Sequence, residues 1–154
     1  MVKFATTQLD EVAVTGYAVR TAGARSSDDF WSVLDTGRCT IGTVEPDRWA
    51  TESFLHPDPA MAGTIYTPAA GQIDGVWNFD PGFFGISPRE ALQMDPQQRL
   101  LTEVVWEAIE AAGLSRKSWD KDRTGVYIGA SSSDYSTHFA GNPRAVDAQH
   151  ELSV

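Results

Sequence analysis

The sequence predicts an α/β domain. Three features carry the expectation: a nearly continuous apolar run early in the chain, a long capped amphipathic helix in the middle, and a second apolar run after it. The order is strand, helix, excursion, helix, strand. Two buried strands cannot make a doubly covered sheet by themselves, because parallel sheets normally carry more. The chain is therefore expected to be an incomplete portion of a layered fold.

Residues 1–10 read as a polar lead-in. Val12-Ala13-Val14-Thr15-Gly16-Tyr17-Ala18-Val19 reads as a strand buried on both faces, and Gly16 inside it marks a close backbone approach or a bulge. After the turn at Gly23, Ser26-Ser27-Asp28-Asp29 opens a helix with acidic residues in its first turn. Phe30, Trp31, Val33 and Leu34 form its apolar side, and Gly37 ends it. From Thr43 to Asn78 prolines and glycines break every candidate helix, and this stretch is an excursion from the main fold. Within it, Gly63-Thr64-Ile65-Tyr66 and Gly71-Gln72-Ile73 are expected as two short strands around a Pro68-Ala69-Ala70 turn.

Two helix starts follow. Ser87-Pro88-Arg89-Glu90 is a capping box with proline at the first helical position, and Asp95-Pro96-Gln97-Gln98 repeats the design. The second opens a helix over about Pro96 to Ala112, closed by Gly113. Leu101, Val105, Ala108 and Ala112 form its apolar stripe, widened by Leu100, Val104 and Ile109; Arg99, Glu103, Glu107 and Glu110 are expected to face water. Gly125-Val126-Tyr127-Ile128-Gly129 is the second buried strand, and Ser131-Ser132-Ser133-Asp134 is the loop after it.

Composition narrows the function classes. The chain has 154 residues, 42% hydrophobic and 21% charged, which is ordinary globular composition. Twelve basic residues against 21 acidic ones give a net charge of −9. So acidic a surface predicts neither nucleic acid nor an anionic membrane as partner, since both need a positive patch. No apolar run reaches the roughly 18 residues a spanning helix needs, and Met1 to Thr7 lacks the apolar core of a signal peptide. The single cysteine, Cys39, excludes an intrachain disulfide and fits a reducing compartment, so a cytoplasmic location is expected.

No constellation makes a self-sufficient active site. Cys39 has neither a helix N-terminus nor a histidine beside it in sequence, so it reads as a small semi-buried apolar residue rather than a nucleophile helped by Arg38. His56, His138 and His150 share no metal-ligand spacing, and no metal site is expected. Gly129-Ala130-Ser131-Ser132-Ser133 lacks the second glycine of the strained G-x-S-x-G elbow, which disfavours a serine hydrolase. Gly125 to Gly129 is not a phosphate loop, having no following lysine. Arg99 reads as a clamp, paired with Asp95 or a distant carboxylate, rather than as a site for an anionic substrate. Trp77, Phe79, Phe83 and Phe84 read as core packing rather than as the lining of an acyl pocket.

Phe79-Asp80-Pro81-Gly82-Phe83-Phe84-Gly85-Ile86-Ser87-Pro88-Arg89-Glu90-Ala91, followed by Met94-Asp95-Pro96-Gln97-Gln98-Arg99-Leu100-Leu101, strongly resembles the N-terminal part of β-ketoacyl synthase domains. The similarity is to those of modular polyketide synthases and related multidomain fatty acid synthases. Val12 to Gly23, Asp29-Phe30-Trp31, Pro46-Asp47-Arg48-Trp49, Trp106 to Gly113, Thr124 to Gly129 and Asp134-Tyr135 match further pieces in the family's order. Together they extend the resemblance over residues 11–154.

The resemblance implies a thiolase-like layered fold of two similar α/β halves, working as a homodimer. It implies decarboxylative Claisen condensation of acyl and malonyl groups carried on the phosphopantetheine arm of an acyl carrier protein, with no cofactor bound directly. An active-site cysteine would hold the acyl group while two histidines assist decarboxylation and attack. The cysteine motif, of Thr-Ala-Cys-Ser-Ser type, is not in this sequence; Cys39 does not match its position, and no histidine falls in either histidine motif. No catalytic residue is therefore assigned to this chain. It is expected to be the first third or so of a condensing domain, silent by itself, with the remainder of that domain as partner. The alternative is a separately expressed scaffold module that complements a second chain.

Overall fold

The computed structural model describes residues 12–115, 120–131 and 135. Its helices begin and end where local chemistry dictates. α1 (Ser27–Thr36) is opened by Ser26, whose hydroxyl accepts the Asp29 N–H at 3.1 Å while the Asp29 carboxylate accepts the Ser26 N–H at 3.1 Å. The bond with the Ser26 side chain, then the Arg25 N–H, hold the Asp29 carboxyl below its ordinary value. Gly37 ends the helix at φ +61, which costs glycine nothing.

The excursion is built differently from the expectation. β1 (Ile41–Thr43) pairs antiparallel with β2 (Ala69–Gly71), Thr43 standing opposite Ala69 and Ile41 opposite Gly71. Ala69 and Ala70 are thus strand residues rather than a turn. Ile65 instead forms a parallel bridge with Leu55, and its N–H donates to the Phe54 carbonyl at 2.8 Å. A three-residue apolar run carries too little information to name its partner, and Pro68, which has no N–H to offer, still accepts from Val44 N–H at 2.9 Å. Gln72 extends the ladder with its side chain, donating to the Thr43 carbonyl at 3.0 Å. Arg48 then donates to the Ile73 carbonyl and lies 6.0 Å from the centre of the Trp77 ring, closing the excursion on itself.

Three helices follow in quick succession: α2 (Pro81–Phe84), α3 (Pro88–Gln93) and α4 (Pro96–Ala111). Each has proline in its first turn and a capping oxygen before it. Asp80 accepts from Phe83 N–H at 3.1 Å, Ser87 from Glu90 N–H at 3.2 Å, and Asp95 from Gln97 N–H at 2.8 Å. The Gln98 side chain accepts the Asp95 N–H at 3.3 Å and completes a reciprocal box. Phe79 stacks on Phe84 at 5.4 Å, Phe84 meets Phe83 edge-on at 4.9 Å, and Phe83 meets Trp106 of α4 at 5.1 Å. This aromatic relay fixes α2 against α4. Trp77, expected to pack with these rings, lies against Arg48 instead.

The two expected strands form no regular element and pair with nothing among the described residues. Val12 is 91% exposed and Val14 83%; Val126, Tyr127 and Ile128 are 73%, 97% and 58% exposed. Apolar continuity reports that a segment is meant to be covered; it does not supply the neighbouring strand, whose N–H and C=O groups must come from elsewhere. The early segment does touch α4: a Cβ on Gly16 would stand 2.5 Å from the Ala108 carbonyl oxygen and 2.6 Å from the Ala112 nitrogen. Among the described residues only Ala24 and Ala91 are buried apolar side chains, and no large one is fully enclosed. That is not the core of a self-contained domain.

Candidate functional site

A cleft opens beside α4. The N-terminal half of the helix, the end of the early segment and residues 128–131 enclose this open space of about 610 Å³, lined by Arg20, Ile73, Leu101, Val104, Ile128 and Ser131 among others. Arg20 is largely buried here and ion-pairs with Glu107 on the flank of α4. Glu103, a turn earlier, is pushed above its ordinary carboxyl value by burial, with Arg20 opposing and Glu107 adding to the rise. Glu103 and Glu107 thus flank the apolar stripe and are only half exposed, where a fully solvated face was expected. A lone arginine ending an apolar run, opposite two glutamates at i and i+4, is a signal that could have predicted the pair.

Arg99 departs further from expectation. It is 8% exposed rather than water-facing, and its guanidinium lies 6.0 Å from the centre of the Tyr135 ring. The Tyr135 hydroxyl donates to the Leu92 carbonyl at 3.0 Å, tying residue 135 to the junction of α3 and α4. The expected pairing of Arg99 with Asp95 does not form; the Asp95 carboxylate points to the N–H groups of Gln97 and Gln98. Cys39 is exposed rather than semi-buried, just beyond the end of α1. His56 accepts the Asp58 N–H at 3.1 Å in a local turn. Among the described residues no three His, Cys, Asp or Glu side chains group to hold a metal. Ser131 borders the cleft, while Ser132, Ser133, His138 and His150 lie outside the described residues. A second cleft, of about 420 Å³, lies in the excursion between Trp49, Leu55 and Pro68.

Residues 9–153 match the family model of the β-ketoacyl synthase N-terminal domain. The chain belongs to the β-ketoacyl synthase family. Relatives include a phenolphthiocerol/phthiocerol polyketide synthase of Mycobacterium tuberculosis, 45% identical over 140 residues, 90% of this chain and 9% of that protein. Another is a polyketide synthase of Streptomyces halstedii, 44% identical over 140 residues, 90% of this chain and 4% of that protein. Among solved structures, an oxazolomycin ketosynthase domain of Streptomyces albus superposes with a TM-score of 0.66 at 39% identity, covering 68% of this chain and 18% of that one. The ketosynthase from module 6 of the bacillaene synthase of Bacillus subtilis gives 0.59 at 32%, covering 67% and 17%. The fold is thus that of a ketosynthase, thiolase-like, of which this chain is a partial N-terminal portion. No helix among the described residues is long and apolar enough to cross a membrane.

Proposed function

We propose that this chain serves as the N-terminal portion of a β-ketoacyl synthase that elongates an acyl chain in polyketide assembly. The observation that carries the reading is the match of residues 9–153 to the β-ketoacyl synthase N-terminal domain. In the proposed reaction a cysteine thiolate, contributed by the part of the domain outside this chain, attacks the acyl thioester of a carrier protein and releases its phosphopantetheine thiol. A malonyl thioester on the carrier then loses carbon dioxide; the resulting enolate carbon attacks the acyl enzyme, forming the carbon–carbon bond and freeing the cysteine. The complete domain works as a homodimer in the cytoplasm and meets an acyl carrier protein.

Within that cycle the present chain contributes framework rather than a reacting group. α4, set at a fixed angle by the Asp95–Gln98 box and by the Phe83–Trp106 contact, backs the sheet that the rest of the domain completes. The exposed Val126-Tyr127-Ile128 edge and the cleft beside α4 support this, because unpaired edges and apolar surface of that extent call for a covering layer.

Reconstitution with acyl- and malonyl-loaded carrier protein tests the reading. The complete domain is expected to release carbon dioxide and form the β-ketoacyl thioester; residues 1–154 alone are expected to form none. Turnover by residues 1–154 alone, or none by the complete domain with loaded carriers, contradicts it.

A further inference from the structure

Among the described residues one buried side-chain nitrogen has no hydrogen-bond partner: Nε of Arg99. The residue is in the first turns of α4, where its main-chain N–H donates to the Asp95 carbonyl at 3.2 Å. The guanidinium carbon stands 6.0 Å over the centre of the Tyr135 ring, and Tyr135 is itself anchored on Leu92. No ion pair among the described residues includes Arg99.

An arginine keeps its charge at working pH and presents its donors as a rigid planar fork. A cation–π contact at this distance gives the N–H groups no oxygen acceptor. A buried cation without a counter-charge is among the costliest arrangements in a protein, and an unmet donor adds to the cost. A neutral carbonyl would satisfy Nε but leave the charge uncompensated. A carboxylate approaching side-on, accepting from Nε and one terminal nitrogen, settles both at once.

We propose that Arg99 is the socket for an Asp or Glu carboxylate carried by the part of the ketosynthase domain not contained in residues 1–154. The inference rests on the reading that this chain is completed by such a domain, and it goes beyond that reading by naming the joint. The solved oxazolomycin ketosynthase, of which this chain covers 18%, has ample length to supply the segment. Arg99 is nine-tenths buried, so the occupant is a fixed part of the fold rather than a diffusing anion. The joint holds the start of α4 and so acts on the cleft through position; Arg99 is a positioning residue.

The test is a structure of the complete domain followed by a double-mutant cycle in it. A carboxylate oxygen is expected within about 3.2 Å of Arg99 Nε. Arg99→Met is expected to lower the folding equilibrium constant by about a hundredfold or more, and neutralising the facing residue (Asp→Asn or Glu→Gln) in the same chain to recover at least about tenfold of that loss. Arg99→Lys, which keeps the charge and loses the fork, provides the cycle if Arg99→Met does not fold; it is expected to lose less than Arg99→Met and to couple to the same residue. Water or a backbone carbonyl at Nε, or losses that simply add, overturns the inference. Condensation by the wild-type domain, measured on the same preparation, separates the two claims. An active domain with Nε facing water sinks only the socket, whereas an inactive domain sinks the reading beneath it.

Discussion

Adding one methyl group at Gly16, in the complete ketosynthase domain, is expected to force α4 away from the early segment beside it. The new Cβ would meet the Ala108 carbonyl oxygen at 2.5 Å, the Ala112 nitrogen at 2.6 Å and the Ala112 methyl at 2.8 Å. Ordinary contact lies at 3.4 Å or beyond, so the nearest atom would have to retreat by about 0.9 Å. Two of the three obstacles are helix backbone, which no side-chain rotation can clear. Overpacking of this kind costs about 1–3 kcal/mol, and backbone obstacles place it at the upper end. The lower entropy of unfolded alanine returns about 0.4–1 kcal/mol, leaving a net loss of roughly 1–2.5 kcal/mol for Gly16→Ala. Chemical denaturation of both domains reads that loss in the midpoint at constant slope. Adding Ala112→Gly removes only the methyl contact and is expected to recover nothing. An unchanged midpoint for Gly16→Ala, or full recovery in the double variant, refutes the close backbone approach.

Other expectations follow from the caps and charges. Asp95→Ala in the complete domain is expected to lose roughly 0.5–2 kcal/mol, because it removes the carboxylate that accepts the Gln97 N–H, whereas the Gln98 N–H keeps the Asp95 carbonyl; an unchanged melting curve contradicts this. Cys39→Ser is expected to keep condensation within a few-fold of wild type, whereas a drop of roughly a thousandfold, as when a nucleophile is lost, would restore Cys39 as a catalytic candidate. Glu103 has its carboxyl raised from 4.5 mainly by burial, so the folded state favours its protonated form. Its stabilising contribution is full below 4.5 and is lost as pH rises through the raised value. Wild type is therefore expected to weaken relative to Glu103→Gln across that window and to run parallel to it above; a difference of opposite sign in the melting temperatures contradicts the assignment.

What could be read from the sequence follows the range of the interactions. Ser26 with Asp29, Asp95 with Gln98, and the glycines at 37 and 113 act within a turn or two of chain, and the helices they bound stand where the pattern placed them. Gly16 was legible as a close approach or a bulge; the structure shows the approach, and α4 as what approaches. The β1–β2 pair was not legible, because the strands meet only across the long loop of residues 44–68, whose prolines break helices without selecting a partner. Arg99 was misplaced for a related reason. Helical periodicity assigns a charged residue to the outer face, but Tyr135, distant in sequence, stands beside that position in the fold. The apolar runs were legible as more than this chain covers, since Val12, Val14 and Val126 to Ile128 stand exposed.

Amide hydrogen exchange at Val126, Tyr127 and Ile128 tests the central claim, that this chain is one portion of a ketosynthase sheet completed from outside it. In residues 1–154 alone these amides are expected to exchange at close to unfolded-chain rates, since the edge pairs with nothing among the described residues. In the complete domain they are expected to slow by several orders of magnitude, as ladder amides between neighbouring strands do. Fast exchange in the complete domain, or equal protection in residues 1–154 alone, would contradict the account.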